Sequence, residues 1–456
     1  MPAPAVFPVS YSDFVCAFPA DEAHMDVARA SRIWRKGAIR AYVSLNVPPS
    51  EALLAEGRQH NETWAHYPDD APKRSLYAGD TRAALVPFLA HKHFGPTYKW
   101  LLYMDDDTVF VPSSVRRLVM RLNSSVPYFV TDHLWWSDEK GSRHPNERAP
   151  RCLPCDFDPR THAPLRGLLG PNGEAPKRRA DYYRAPVACP CTPQALCEAT
   201  PDVFDDHCDM PRYPENTYSM HGGAGAVVSV ALLEAVSLPF MERCARSLHS
   251  TGGDAFISLC LWRAGYASTD PGTSLYEGGT RHFDPGSEDR LGAMRNLAAY
   301  VDGHWEGLPP ARRWVTSCDA RCEQELETQV SLHVRSRNFP SLEDAASFIR
   351  AYVGLQEAYE SLREGRARQG VPELFGGHGD GSPGVRGGGA TEAPGWESGA
   401  RSGGEACAKV ETTIRSGRVG GQDGQKGGAA TGETVGVAGG RREGGRVGTA
   451  GLAEAD

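Results

Sequence analysis

The chain has 456 residues, 40% of them hydrophobic, and a formal net charge of -8. This length allows two or three domains with their own cores, and the absence of a basic stripe interleaved with aromatic residues argues against nucleic acid as a partner. No apolar run reaches the roughly 18 residues that a membrane span needs, and no signal peptide is recognisable at the N-terminus.

The N-terminal part of the chain alternates predicted strands and helices. Apolar runs at 14–18 and 41–45 predict strands, and the segment 22–35 between them predicts a helix. Asp80 is a candidate N-cap of a further helix, which Pro87 interrupts. Such alternation is typical of an α/β protein with a mostly parallel central sheet.

An acidic triplet follows the most apolar of these runs. Residues 100–104 are all apolar or aromatic and lead directly into Asp105, Asp106 and Asp107. The run predicts a strand buried on both faces, with the acids at its carboxyl end, where α/β sheets bind ligands. Adjacent carboxylates repel each other and are costly to desolvate unless a cation shares the site. Oxygen ligands suit Mg²⁺ or Mn²⁺, so the triplet predicts a divalent metal site.

Between residues 137 and 214 the pattern dissolves into Pro, Arg, Asp and Cys, and this segment holds six of the 12 cysteines. Cys152 and Cys155 have two intervening residues, which resembles half of a zinc site. The second pair, Cys189 and Cys191, has a single intervening residue and lies far along the chain. Disulfides within a loop-rich insertion are therefore favoured over structural zinc.

The cysteines and two N-glycosylation sequons, at Asn61 and Asn123, favour an oxidising lumen as the compartment. Beyond about residue 369 the composition changes to glycine-rich with almost no large apolar residues, which predicts a disordered tail over 370–456. The domain organisation expected from the sequence is one domain over 12–369, with 137–214 as an insertion, followed by that tail.

A glycine turn opens the second half of the domain. Gly222, Gly223 and Gly225 precede a short apolar strand and a helix, but only two of them fit a G-x-G-x-x-G pattern, so a dinucleotide fingerprint is not supported. Two interpretations stay open. The glycines could serve a tight turn, or they could place bare backbone against a ligand.

A Gly-Gly-Asp sequence then starts an amphipathic helix that Gly265 ends. Asp254 stands where an N-cap belongs, so capping alone could explain it. Two later histidines, His282 and His333, are each compatible with a structural role. The last predicted helix starts near Ser341 in a pattern like a capping box.

Three blocks of this sequence resemble the Fringe-like glycosyltransferases, a family that includes Fringe, the core-1 galactosyltransferases and a plant and algal group. The blocks are residues 99–110, 222–233 and 252–265, in family order. The resemblance implies a GT-A-type nucleotide-sugar-binding fold. The cysteine-rich insertion and the glycine-rich tail depart from the family.

The resemblance also assigns roles to individual residues. It implies that Asp107 binds Mn²⁺ directly, that Asp105 and Asp106 contact the nucleotide sugar, and that Asp254 is the catalytic base. The glycine turn, with Gly222 and Gly223, would lie against the donor. The family's second metal ligand is a histidine some two dozen residues after the base. His282 is the nearest match to that spacing, and His333 is the second choice.

The implied activity is inverting transfer of a sugar from a UDP-sugar to a hydroxyl of a glycan or glycoprotein acceptor, with Mn²⁺ or Mg²⁺ as cofactor. The implied location is the lumen of the Golgi or secretory pathway. Family members carry an N-terminal membrane anchor, and no such segment is visible in this sequence.

Two other functions remain open. Asp105-x-Asp107 also fits the nucleophile motif of haloacid-dehalogenase-type phosphatases, with acids at 205–209 as distal metal ligands. That motif normally lies on the first strand of its domain, whereas two βα units precede it here, and it leaves the Gly-Gly-Asp helix unexplained. The other alternative is a catalytically inactive relative that binds glycans, which an intact Asp254 argues against.

Overall fold

The computed structural model describes part of the chain, and all of that part belongs to a unit spanning Met1–Ser382, which is separate from Pro383–Asp456. The tail expected over 370–456 lies outside the described residues, as does most of the insertion at 137–214. The described residues are 6–69, 79–137, 143–145, 154–155, 189–190, 192–193, 218–248, 252–271, 283–284, 326, 328–336 and 339–368.

The strands of the described part are short and are grouped in three sheets. They are β1 (Phe14–Ala20), β2 (Arg40–Leu45), β3 (Glu62–His66), β4 (Trp100–Tyr103), β5 (Thr108–Phe110), β6 (Phe129–Val130), β7 (Leu134–Ser137), β8 (Arg143–Pro145), β9 (Tyr218–Met220), β10 (Ala226–Ser229), β11 (Phe283–Asp284) and β12 (Ser331–His333).

The central sheet has six strands in the order β3-β2-β1-β4-β10-β6. The first four pair in parallel, whereas β10 is antiparallel to both of its neighbours. The predicted α/β class with a mostly parallel central sheet is therefore confirmed. Strand β4, which carries the acidic triplet at its end, lies between β1 and β10 in the interior of the sheet.

The two smaller sheets extend this framework. One has the order β11-β12-β5, in which β12 is antiparallel to β5 and places His333 opposite Thr108. The other has the order β8-β7-β9. Because β5 follows the acidic triplet directly and β12 comes from the far end of the domain, their pairing brings distant parts of the sequence to the triplet.

Helices cover both faces of the central sheet. They are α1 (Met25–Ala30), α2 (Arg32–Arg35), α3 (Glu51–Gln59), α4 (Asp80–Phe94), α5 (Pro112–Val119), α6 (Val230–Ala235), α7 (Leu238–Ser247), α8 (Gly253–Arg263) and α9 (Leu342–Arg368).

Alternate residues of β4 show how the two faces are buried. Trp100 and Leu102 belong to a core cluster that includes residues of α5 and α9, and Leu101 and Tyr103 belong to a second cluster formed with α4, α7 and α8. All four side chains are buried, which matches the continuous apolar run from which the strand was predicted.

An ion-pair network packs α1 and α2 against the β3 edge of the sheet. Arg29 and Arg32 both bind the carboxylate of Glu56 on α3, and Arg32 also binds Glu62 at the start of β3. Glu62 is buried and is shared with the equally buried Arg35. The charges are therefore paired and hydrogen-bonded, which burial of ions requires.

Two sequence-based predictions about helices need correction. The helix expected over 22–35 is divided into a 3₁₀ turn, α1 and α2, with Ser31 between the two α-helices. Asp80 is not an N-cap, because Gly79 holds that position. The capping-box-like start of the last helix is confirmed, since Ser341 Oγ accepts a hydrogen bond from the N–H of Asp344 at 3.1 Å. Among the described helices, none combines the length and apolar character needed to cross a membrane.

Candidate metal centre and catalytic site

The acidic triplet forms the turn between β4 and β5. Its backbone is fixed at both ends, because Thr108 N–H donates to the carbonyl of Asp105 at 3.2 Å and Val334 N–H donates to the carbonyl of Asp107 at 3.0 Å. The second bond comes from the segment that follows β12. The turn is therefore held by a part of the chain far from it in sequence.

Asp105, Asp107 and His333 together can hold a metal ion. Each offers one ligand atom, and these atoms lie within 4.8 Å of one another. Nε2 of His333 is 3.0 Å from Oδ1 of Asp107. Two carboxylate oxygens and one imidazole nitrogen are a donor set that suits Mn²⁺ or another first-row divalent ion. The metal site predicted at the triplet is thus supported by a third ligand from β12.

The second oxygen of the Asp107 carboxylate is held by Ser336. Its Oδ2 accepts hydrogen bonds from the backbone N–H of Ser336 at 2.9 Å and from the Ser336 hydroxyl at 3.2 Å. Such hydrogen bonds orient a metal-binding carboxylate and restrict its rotation. Asp106 points elsewhere, since its Oδ2 lies 3.8 Å from Nδ1 of His24. The three acids of the triplet are therefore not equivalent.

Burial and the closeness of several carboxylates shift the pKa values of all three acids of the triplet. Burial, opposed by His333 but reinforced by Asp107 and Asp254, raises the pKa of Asp105 to about 7. Burial acts to raise the pKa of Asp107 as well, but the charge and hydrogen bond of His333 outweigh it and lower the value to about 2. Burial also raises the pKa of Asp106 well above its usual range, with the neighbouring acids adding to the effect. A cation at this place would offset the repulsion between the carboxylates.

The glycine turn packs directly against the potential ligands. Residues Gly222–Ala224 form a 3₁₀ turn before β10. A Cβ atom placed on Gly222 would lie 2.9 Å from Oδ1 of Asp105, and one placed on Gly223 would lie 2.2 Å from Nδ1 of His333. Neither position has room for a side chain. The two glycines are therefore needed because the acidic turn and His333 approach the backbone closely.

Asp254 lies in the first turn of α8, and its carboxylate reaches the glycine turn. Its Oδ2 accepts a hydrogen bond from the N–H of Gly222 at 3.1 Å, and its Oδ1 accepts one from Ala255 at 2.8 Å. Gly252, with φ +101°, is the N-cap of this helix. The interpretation of Asp254 as an N-cap is therefore wrong. Gly222 contacts both Asp254 and Asp105, so the carboxylate beside α8 and the acidic turn belong to one site.

The start of α8 is held by Asp80, which the sequence predicts to be the N-cap of α4. Asp80 is buried, and its Oδ2 accepts a hydrogen bond from the N–H of Gly252 at 2.8 Å. A Cβ atom on Gly253 would lie 2.4 Å from that of Ala83, so α4 and α8 are in close contact. The Gly-Gly-Asp sequence thus has a physical explanation. One glycine adopts a left-handed conformation, and the other permits close helix packing.

His282, the metal ligand proposed first from the resemblance, lies outside the described residues, and that assignment stays a prediction. His333, the second choice, is the histidine that the structure places beside Asp107. Nothing in the local sequence of His333 indicates this position, because it depends on the pairing of β12 with β5. His221 and Asp80 also contact the site residues, and neither stands in a motif that marks it.

Disulfides are confirmed where the described residues allow a check. Cys155 is bonded to Cys189, in agreement with the preference for disulfides over zinc in the insertion, and Cys244 on α7 is bonded to Cys260 on α8. Cys152, Cys191 and the acids at 205–209 lie outside the described residues.

Comparison with known proteins does not assign the chain to a family. No protein-family model matches it, and a search of the curated proteins found no significant match. Support for a function therefore comes from the residues of the site.

Proposed function

We propose that the chain is a metal-dependent inverting glycosyltransferase of the GT-A type, which transfers a sugar from a UDP-sugar to a hydroxyl of a glycan or glycoprotein. The observation that carries the proposal is the position of Asp254. Its carboxylate is joined through Gly222 to the cluster of Asp105, Asp107 and His333. A potential general base and a potential metal ligand therefore both contact the backbone of Gly222.

Asp107 and His333 would hold Mn²⁺ or Mg²⁺, and the carboxylate of Asp105 would lie beside the ion. When bound, the ion would neutralise the diphosphate of the donor and stabilise the departing UDP. Ser336 would keep the Asp107 carboxylate oriented towards the ion. Asp106, which lies outside the cluster, would be available to the nucleotide sugar.

Asp254 would act on the acceptor. Its carboxylate would take the proton from the acceptor hydroxyl while that oxygen forms a bond to the anomeric carbon. The bond between the anomeric carbon and the diphosphate oxygen would break on the opposite face, and UDP would leave with the electron pair. Attack from that side inverts the anomeric configuration. A positioned carboxylate base typically contributes about 10²–10⁴-fold to such a step.

The phosphatase alternative is less well supported by the geometry. It requires Asp105 to act as a nucleophile that is open to the substrate, but the backbone of Gly222 lies directly against the carboxylate of Asp105. It also gives no role to Asp254. A glycan-binding relative without activity would need neither a base nor a metal ligand set, so the arrangement favours an enzyme.

The location that fits this function is the lumen of the Golgi or another secretory compartment. Two disulfides, Cys155–Cys189 and Cys244–Cys260, are compatible with an oxidising environment. In that lumen, glycan and glycoprotein acceptors are also accessible.

A screen of donor hydrolysis tests the proposal. The purified chain should release UDP from at least one UDP-sugar in the presence of Mn²⁺, and EDTA should abolish the release. Asp107→Ala should remove both Mn²⁺-dependent donor binding and UDP release, whereas the exposed carboxylate variant Glu234→Gln should behave as the parent. Turnover of p-nitrophenyl phosphate without release of UDP from any UDP-sugar would favour the phosphatase and refute the transferase.

A further inference from the structure

His221 directly precedes the glycine turn, and its side chain closes that turn. Its Nδ1 accepts a hydrogen bond from the N–H of Ala224 at 3.2 Å, so the imidazole is the cap of the short 3₁₀ segment. Its backbone N–H donates to the carbonyl of His133 at 3.2 Å. An accepting Nδ1 carries no proton, which fixes one tautomer of the neutral ring. The position and the ring orientation of His221 are therefore both specified.

The same ring packs against the candidate metal ligand from β12. The centroids of the His221 and His333 rings are 5.4 Å apart with the planes at 62°, and the centroids of the His133 and His221 rings are 5.3 Å apart with the planes at 74°. The backbone of Gly223 also lies against the His333 ring. Rotation of the His333 imidazole away from Asp107 is therefore restricted by His221 and Gly223 together.

The turn that His221 caps also holds one oxygen of Asp254. Gly222, the first residue of the turn, donates its N–H to Oδ2 of Asp254. The N–H of Ala224 also donates to the carbonyl of His221 at 3.0 Å, and Gly225 N–H donates to the carbonyls of His221 and Gly222, so the turn would persist without the side-chain cap. Loss of the cap would remove one restraint on the turn and thereby on the direction of the Gly222 N–H. His221 is thus connected to the metal side of the site by its ring and to the carboxylate side by its hydrogen bond.

We propose that His221 is a positioning residue that aligns the metal ligand His333 through ring packing and the base Asp254 through the capped glycine turn. The part that concerns Asp254 rests on the proposed function, whereas the part that concerns His333 requires only that the cluster binds a metal. The two contacts of His221 use different properties of the side chain, so substitution can separate them.

Two substitutions divide the contacts. His221→Asn keeps a side-chain acceptor for the N–H of Ala224 but removes the ring, and His221→Phe keeps a ring but removes the acceptor. The exposed His60→Asn serves as the control for loss of an imidazole elsewhere. Thermal unfolding of each variant establishes that it is folded before binding is compared.

The affinity for Mn²⁺ alone, measured from the electron paramagnetic resonance signal of the free ion, reports on His333. Removal of groups that orient metal ligands typically costs about 10–100-fold in affinity. His221→Asn should therefore bind Mn²⁺ at least about tenfold more weakly than the parent, while His221→Phe should stay within about twofold to threefold of it. Parent-like Mn²⁺ affinity in a folded His221→Asn would overturn the proposal.

Turnover of the UDP-sugar at saturating Mn²⁺ reports on Asp254. His221→Phe should lower kcat by about tenfold or more at nearly unchanged KM, because misplacing a catalytic group by about 1 Å is enough for such a loss. An unchanged kcat in His221→Phe would refute the positioning of Asp254. If the parent binds Mn²⁺ but neither the parent nor any variant turns over a UDP-sugar, the proposed function fails. The comparison of Mn²⁺ affinities still decides the role of His221 at the metal site. A parent that binds no Mn²⁺ would overturn both proposals.

Discussion

The carboxylate of Asp254, in the first turn of α8, accepts a hydrogen bond at 3.1 Å from the backbone N–H of Gly222 in the glycine turn. The same glycine has no space for a side chain because Asp105 lies against it. Gly222 thus lies between the carboxylates of Asp105 and Asp254, which are far apart in the sequence. The carboxylate of Asp254 thus contacts the glycine turn as well as the N–H of Ala255 in its own helix.

Asp254→Asn should abolish transfer with little disturbance of the site. The amide oxygen of Asn can still accept the hydrogen bond from Gly222, and only the bond that the second oxygen accepts from Ala255 would be lost, so the fold and the binding of Mn²⁺ and donor should persist. An amide cannot take the proton of the acceptor, and transfer should fall by about 10²-fold or more. The measurement is kcat for the acceptor reaction beside donor affinity, with Glu234→Gln as the control. Transfer close to the parental rate would exclude Asp254 as the base.

His333→Ala should weaken the binding of Mn²⁺ far more than His282→Ala does. His333 is 3.0 Å from Asp107 and supplies the only imidazole of the cluster found among the described residues. Its loss should lower the affinity for Mn²⁺ by at least about tenfold. Calorimetric titration of both variants decides between the two histidines. The opposite ranking would restore His282 as the ligand.

Gly223→Ala should damage the metal site, whereas Gly354→Ala should not. The new methyl group at position 223 would overlap the His333 ring, and the ring would have to leave its place beside Asp107. Gly354 is a helix residue, and a Cβ there would meet no described atom within 4 Å apart from those of its own stretch of helix, so alanine should stabilise α9 by about 0.5–1 kcal/mol. Mn²⁺ affinity and the free energy of unfolding of both variants are the measurements. Parental Mn²⁺ affinity in Gly223→Ala would contradict the close packing of His333.

The ion-pair network on α1, α2 and α3 should contribute to stability at neutral pH and lose that contribution in acid. The hydrogen bond from Arg29, followed by that from Arg32, lowers the pKa of Glu56 from 4.5 to about 2. Because the folded-state pKa is the lower one, the contribution is present above about pH 4.5 and disappears as the pH falls towards 2. Glu56→Gln should therefore reduce the free energy of unfolding at pH 7 and make its decline between pH 4.5 and 2 less steep.

Chemical denaturation at a series of pH values measures this difference. The curves of Glu56→Gln and the parent should converge near pH 2, where the parental carboxylate is becoming protonated. Parallel curves over the whole interval would show that Glu56 has the same pKa in the folded and unfolded chains.

Much of the fold is predictable because local pattern determines it. The apolar run before Asp105 gives β4, the glycines at 222–225 give the turn before β10, and the mostly apolar residues after Asp254 give α8, which is buried on nearly all sides. In the two runs, the burial of the element is encoded in neighbouring residues. These elements carry most of the candidate site residues. The local pattern is enough to select the acidic turn, whereas Asp254 is selected as a base only through the resemblance to the Fringe-like glycosyltransferases.

The remaining site residues depend on contacts between distant segments. His333 reaches Asp107 only through the register of β12 on β5, and Ser336, which orients Asp107, is 229 positions from it. Spacing along the chain cannot show such pairing, and a spacing argument selected His282 first. Asp80 illustrates the same difficulty, since a carboxylate at a helix start predicts a cap, whereas its partner is Gly252 on another helix.

The late position of β12 has a consequence for the order in which the protein can become functional during synthesis. A nascent chain can form β1, β2 and β4 and expose the acidic turn before residues 331–336 have left the ribosome, but it then lacks the imidazole and both Ser336 hydrogen bonds. Asp105 and Asp107 would face each other without these partners until the last quarter of the domain arrives. If the cluster binds a metal ion, its complete set of ligands would therefore assemble only after β12 has paired with β5, and a product truncated before β12 would have Asp105 and Asp107 without the third ligand.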